Sequence, residues 1–261
     1  MIDRRDELTA LTSEGLATAL ENLDRRLSLL LERLDDRITA LPLSATFAIP
    51  ETDLLAWLKH RKGTRRQYWS SRQGDLELAG SGTALEVASD ENLTLNAAYA
   101  DITAILARAE QPDRRFLGGQ VFDPASPLTA PWSRFSKLSY AIPAILLSRR
   151  DTQCSVTITT KISTDSTPDQ VRSDLRTLAG QLTDLTDGPT GYAPAALAGR
   201  ADLPEYAEWR DGLERMLTEI DSGALQKIVL ARRTDLTLDR ELEPTDLLAE
   251  LTRRNPNCFG F

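Results

Sequence analysis

The chain has 261 residues, enough to bury roughly 70–75% of its unfolded surface in one large core or two smaller ones. Hydrophobic residues make up 41% and charged residues 27%, and no apolar run approaches the roughly 18 residues of a membrane span, so membrane insertion is excluded. Thirty-nine acids against 31 bases leave a formal charge of -8, which argues against general nucleic-acid binding because neutralising phosphates needs a basic face.

The first seven residues carry charges of both signs and no apolar core, so they do not read as a secretory signal, and the expected compartment is the cytoplasm. Only five of the 31 bases are lysines, at positions 59, 62, 137, 161 and 227; the other 26 are arginines. Such an acidic, lysine-poor composition fits a salt-loving source or a GC-rich genome equally well.

In chain order, leucines at 16, 20, 23, 27, 30 and 34, then Ile38 and Leu41, lay one apolar stripe along a single long helix that Pro42 ends. At about three and a half heptads the stripe is short for a coiled coil, and a helix laid against its own domain is the preferred reading. The division expected from this change of texture is a leucine-striped segment over 1–41 and a second domain over 42–261.

Residues 67–71 and 76–87 flank the polar turn Arg72-Gln73-Gly74-Asp75 and read as a hairpin. Residues 96–109, with Ala98, Ile102, Ile105 and Leu106 at helical spacing, read as a helix, and residues 115–123 as a strand. A second hairpin is expected from residues 138–148 and 154–162, where Cys154, Val156 and Ile158 alternate with Ser155, Thr157 and Thr159. A helix over 166–185 then leads to a Gly/Pro/Ala-rich candidate linker over 187–199.

Tyr206, Trp209, Leu213, Met216 and Ile220 define another helix, stopped by Asp221-Ser222-Gly223. Residues 226–232 are expected to be a strand, residues 245–254 a helix, and residues 257–261 a last strand. An apolar strand at Phe261 reads either as a chain cut short or as a terminal strand tucked into a sheet.

Several motifs carry no chemistry. Cys154 and Cys258 lie far apart without a Cys-x-x-Cys pattern and are expected to be small buried apolar residues. His60, the lone histidine, sits in Lys59-His60-Arg61-Lys62, a cationic setting that suits neither a metal cage nor a Ser-His-Asp triad. Gly80-Ser81-Gly82 and Gly118-Gly119 lack the spacing of a phosphate loop and read as turns or bulges. The basic run over 61–66 reads as solvated surface.

The informative segment is Gly223-Ala224-Leu225-Gln226-Lys227-Ile228-Val229-Leu230-Ala231-Arg232. Strand alternation would put Lys227, Val229 and Ala231 on one face and Ile228, Leu230 and Arg232 on the other, leaving the lysine partly buried. Burial disfavours the ammonium, and a lysine must lose most of its roughly three-unit excess over neutral pH before it acts as a general base. The alternative is a strand-end lysine that reaches out to water.

This segment, preceded by the Trp209 helix and followed by Asn255-Pro256 and an aromatic strand, resembles the central stretch of isochorismate synthases. These are chorismate-using enzymes, related to anthranilate, aminodeoxychorismate and salicylate synthases. Tyr68-Trp69, the run from Phe116 to Asp123, and Trp132-Ser133-Arg134-Phe135 leading to Ile142-Pro143 fit the same pattern in order. The resemblance runs from about residue 45 to 261 and excludes the leucine-striped segment.

The resemblance implies an α+β fold, with large antiparallel β-sheets packed together and helices outside, incomplete at its C-terminus. It implies an isomerase that converts chorismate to isochorismate for menaquinone or siderophore synthesis. It assigns to Lys227 the activation of the attacking water. It also implies Mg2+, with the metal ligands and the acid glutamate expected downstream of Phe261, so activity of the 261 residues alone is in doubt. The expected partner is the small molecule chorismate, without nucleic acid or membrane. The alternatives are a salicylate synthase, which would also release pyruvate, and a non-catalytic remnant or partner-binding module.

Overall fold

The computed structural model describes residues 10–89, 95–110, 114–182 and 194–261. The chain divides into two compact units, residues 1–190 with 248–261, and residues 191–247.

In the first unit, Thr12 caps α1 (Ser13–Leu20) by accepting the Gly15 amide at 3.0 Å, and α2 (Leu23–Leu31) follows after a two-residue break. The single helix expected up to Pro42 is therefore two short ones. Pro42 lies inside β1 (Ala40–Ile49), whose edge position tolerates the missing amide donor. The leucine stripe packs against its own unit: Leu23 and Leu30 are fully buried, and Leu27, Ile38 and Leu41 join them in the core.

Asp53 caps α3 (Leu54–Lys59) by accepting the Ala56 amide at 2.9 Å. The expected hairpin forms as β2 (Arg66–Ser70) and β3 (Leu76–Ser81), turned at Gly74 with φ +72°. Residues 76–87 are not one strand. The chain leaves β3 at Gly82, whose φ of +68° favours a residue without a Cβ, and starts β4 (Leu85–Ser89) in another sheet.

Next come α4 (Leu95–Arg108) and β5 (Leu117–Gln120), shorter than the strand expected over 115–123. The segment 138–148 likewise splits at Pro143-Ala144 into β6 (Leu138–Ile142) and β7 (Ile145–Arg150). Both splits move the chain between sheets, a change that alternation alone does not reveal. Strand β8 (Gln153–Ser163) and α5 (Pro168–Gly180) complete this run, with Thr167 capping α5 and Pro168 opening it.

The larger sheet has the order β1-β8-β7-β3-β2 and the smaller β4-β6-β5, every pairing antiparallel. The fold is α+β, as expected. Phe47, Val156, Ile158, Ile162 and Leu175 are fully buried, each burial contributing about 1.5–3 kcal/mol. A Cβ at Gly118 would run into the Ser139 carbonyl oxygen and the Tyr140 backbone, so the close approach of β5 to β6 requires glycine there.

In the second unit, β9 (Leu197–Leu203) pairs antiparallel with β10 (Arg233–Leu238), and α6 (Tyr206–Asp221) lies between them in sequence. The candidate linker thus ends in a strand, and residues 183–193 of that region lie outside those described. Helix α7 (Pro244–Arg254) leads the chain back into the first unit. There Gly260 forms an isolated antiparallel bridge with Ser70, and Phe259 stacks on Trp69 with centroids 5.8 Å apart. The last strand expected over 257–261 is only that bridge, and Cys258 is exposed, not buried.

Candidate functional site

The segment bearing Lys227 begins where α6 ends. Gly223 adopts φ +80°, a left-handed conformation suited to glycine, and its amide donates to the Ile220 carbonyl at 3.0 Å. The Leu225 amide donates to the Glu219 carbonyl at 3.2 Å, which anchors the exit from the helix.

Beyond that anchor, residues 226–232 are not a strand: β10 starts at Arg233, where the chain meets β9. A strand needs a ladder partner, and among the described residues none pairs with 226–232. Lys227 is consequently exposed, and Val229 is 79% exposed. The partial burial expected of Lys227 is absent because nothing among the described residues covers the segment.

Arg232 is held more firmly. Its Nε donates to the Pro204 carbonyl at 3.4 Å, its guanidinium lies 3.4 Å from the Asp202 carboxylate, and it sits over the Trp209 ring at 5.9 Å. A hydrogen bond from Thr234, with Arg200 and Arg232 nearby, holds the Asp202 carboxyl below the usual carboxylate range. The far end of the Lys227 segment is thereby tethered within the second unit.

Two polar clusters in the first unit were missed from sequence. Glu77, 6% exposed, accepts the Tyr68 hydroxyl at 2.8 Å and pairs with Arg149. Burial and the Glu77 charge push the Tyr68 phenol up. In Leu76-Glu77-Leu78 the glutamate reads as the wet face of an alternating strand, so nothing local marks its burial. The second cluster is Arg114, 8% exposed, donating to Ser44 and, at 3.3 Å, to Thr159, two hydroxyls paired across β1 and β8. Burial, with the nearby Arg26 charge, brings the Arg114 guanidinium down to about 10.

His60 is exposed at the end of α3. The basic run 61–66 serves its own fold: Arg61 lies over Trp57 at 5.0 Å, and Arg65 pairs with Glu86 at 2.5 Å. Among the described residues, no three His, Cys, Asp or Glu side chains could hold a metal ion. The Mg2+ implied by the resemblance therefore does not fit these residues. No described helix is long and apolar enough to cross a membrane.

Residues 30–261, nearly the whole chain and including the Lys227 segment, match the family described as chorismate binding enzyme. The chain belongs to that family. It is similar to the isochorismate synthase MenF of Escherichia coli, with 24% identity over 253 residues covering 95% of this chain and 52% of that protein. It is also similar to MenF of Pasteurella multocida, with 25% identity over 208 residues, 80% of this chain and 42% of that protein. The solved structure of the E. coli menaquinone-specific enzyme superposes with a TM-score of 0.62 at 25% identity, covering 94% of this chain and 51% of the other. The chain spans about half the length of the curated relatives it matches.

Proposed function

We propose that this chain contributes to an isochorismate synthase acting in menaquinone formation, with Lys227 as the base that activates the attacking water. The observation that carries the reading is local. The Gly223 turn and the Leu225 anchor deliver one lysine at the head of an apolar run, inside the stretch matched by the family. The relatives named above are isochorismate synthases, and the solved one is menaquinone-specific, which favours that pathway over siderophore synthesis.

The chemistry sets what Lys227 needs. Water adds at one ring carbon while a hydroxyl leaves another as water, so the composition of the product equals that of the substrate. The base must be a neutral amine, whereas a solvated lysine titrates near 10.4. Covering the segment would lower that value by desolvation and by excluding water. The reading therefore includes further polypeptide that covers residues 226–232 and brings the acid and the Mg2+ ligands, groups the described residues do not supply.

The test is turnover of chorismate with magnesium by the protein as its source expresses it, comparing wild type with Lys227→Ala. The expected result is isochorismate without pyruvate, and a loss of at least about 100-fold in kcat on removing the base. Near-normal turnover by Lys227→Ala would remove Lys227 from the mechanism; pyruvate beside the product would move the reading to a salicylate synthase.

A further inference from the structure

The Lys227 segment is fixed at its two ends rather than along its length. At the near end the Leu225 amide donates to the Glu219 carbonyl in the last turn of α6. At the far end Arg232 donates through Nε to the Pro204 carbonyl, faces the Asp202 carboxylate at 3.4 Å and lies over the Trp209 ring in the first turn of α6. The segment thus runs back along the helix. Glu219 and Trp209 stand about 15 Å apart along the axis at 1.5 Å per residue, whereas the chain from Leu225 to Arg232 reaches about 25 Å when fully extended. It is slack, so its course depends on how the far end is held.

The β9–β10 ladder does not supply that hold alone. It pairs Arg233 with Leu203 and so ties the segment to the two-stranded ribbon, but α6 packs along neither strand of it. Among the described residues of this unit only Thr245 is buried, so no apolar core sets the helix against the ribbon. Arg232 joins the two, because Asp202 and Pro204 stand at the end of β9 while Trp209 belongs to α6. The joint is itself supported on both sides. Asp202 accepts the Thr234 hydroxyl at 2.6 Å and the Arg200 guanidinium at 3.2 Å, and the Tyr206 ring lies 6.2 Å from that of Trp209.

We propose that Arg232 is a positioning residue for Lys227: by joining β9 to α6 it fixes the far end of the segment and so sets where the lysine amine stands. The inference rests on the reading of Lys227 as the base. A base must stand within hydrogen-bond reach of the water it activates, and a displacement of about 1 Å can cost about 100-fold in rate. Arg232 acts only through Lys227.

The test uses the protein as its source expresses it, with chorismate and magnesium, and compares Lys227→Ala, Arg232→Gln, Arg232→Lys and, as a neighbouring control, Arg233→Gln. Arg232→Gln should lower kcat by about tenfold or more while KM stays within about twofold. The acid limb of its kcat profile should also move to higher pH, because a loosened segment returns the amine to water. Arg232→Lys keeps the charge facing Asp202 and Trp209 and should recover most of the rate. Arg233→Gln, whose parent side chain pairs with Asp235 on the same strand, should leave the rate unchanged. If Arg232→Gln does not fold, Asp202→Asn reads the same quantities. An inactive Lys227→Ala beside an Arg232→Gln of normal kcat would overturn the positioning role and leave the base standing. A lower kcat with an unmoved pH limb and a lowered melting temperature would assign Arg232 to structure alone and overturn it as well. Near-normal turnover by Lys227→Ala would overturn the base reading and this inference with it.

Discussion

The two units bury their apolar residues very differently, although both carry regular amphipathic patterns. In the first, the stripe of α2 and the strands β1 and β8 place Leu23, Leu43, Phe47, Val156 and Ile158 fully out of water. In the second, Thr245 is the only buried residue among those described, and Leu203, Tyr206, Val229 and Leu236 are 51%, 63%, 79% and 58% exposed. A body of that size without a core cannot offset its ordering entropy alone. An amphipathic pattern specifies an element; it does not specify what the element packs against.

Breaking the cored unit gives the largest effect. Phe47→Ala empties a fully buried aromatic site in the edge strand β1, within the core cluster that also holds Leu23, Leu27 and Leu30 of α2. We expect a loss of about 3–5 kcal/mol, read by urea unfolding of the 261-residue chain. A loss under about 1 kcal/mol would mean that the first unit is not organised around this core.

Tyr68 gives a smaller and pH-dependent effect. Its phenol is raised above the ordinary value of 10.0 by burial and by the Glu77 charge, so the folded state favours the protonated form. The stabilisation is complete below pH 10.0 and drains away as the pH rises above that value, because the unfolded chain ionises there first. Tyr68→Phe removes the titrating group and should flatten the alkaline fall in stability, at a cost of about 1 kcal/mol near neutrality for the lost hydrogen bond to Glu77. Identical alkaline slopes for the two proteins would remove Tyr68 as the source.

Much of this fold was legible in the sequence where a single period ran unbroken. The β2–β3 turn at Gly74, the helix α4 and the alternating strand β8 stand close to their expected places. The failures share a cause: strand 76–87, strand 138–148 and helix 16–41 each continue a pattern across a point where the chain changes direction or sheet. Gly82 and Pro143 mark two of those points, and only tertiary structure shows that they separate sheets.

For the site, the sequence singles out Lys227 but not its surroundings. The segment 226–232 carries the alternation of a strand, yet a strand exists only against a partner, and the ladder starts at Arg233. The buried Glu77 and Arg114 clusters escape notice for the opposite reason. Glu77 occupies the place of a solvent-facing residue in an alternating strand and Arg114 follows a polar stretch, and the partners Arg149 of Glu77 and Ser44 of Arg114 lie 72 and 70 residues away in the chain.

The smallest effect sharpens the comparison most. Val229 is apolar, β-branched and 79% exposed, so in this chain alone Val229→Ser should change stability by no more than about 0.5 kcal/mol. Backbone amides of 226–232 should exchange with solvent far faster than those of the β1–β8 ladder, because they lack ladder partners among the described residues. If polypeptide corresponding to the other half of the E. coli relative covers the segment, adding it should slow those amides and make Val229→Ser costly in the complex by about 1–2 kcal/mol. Fast exchange and a neutral substitution in both settings would mean that residues 226–232 remain in water, and that Lys227 lacks the dry surroundings a neutral amine requires.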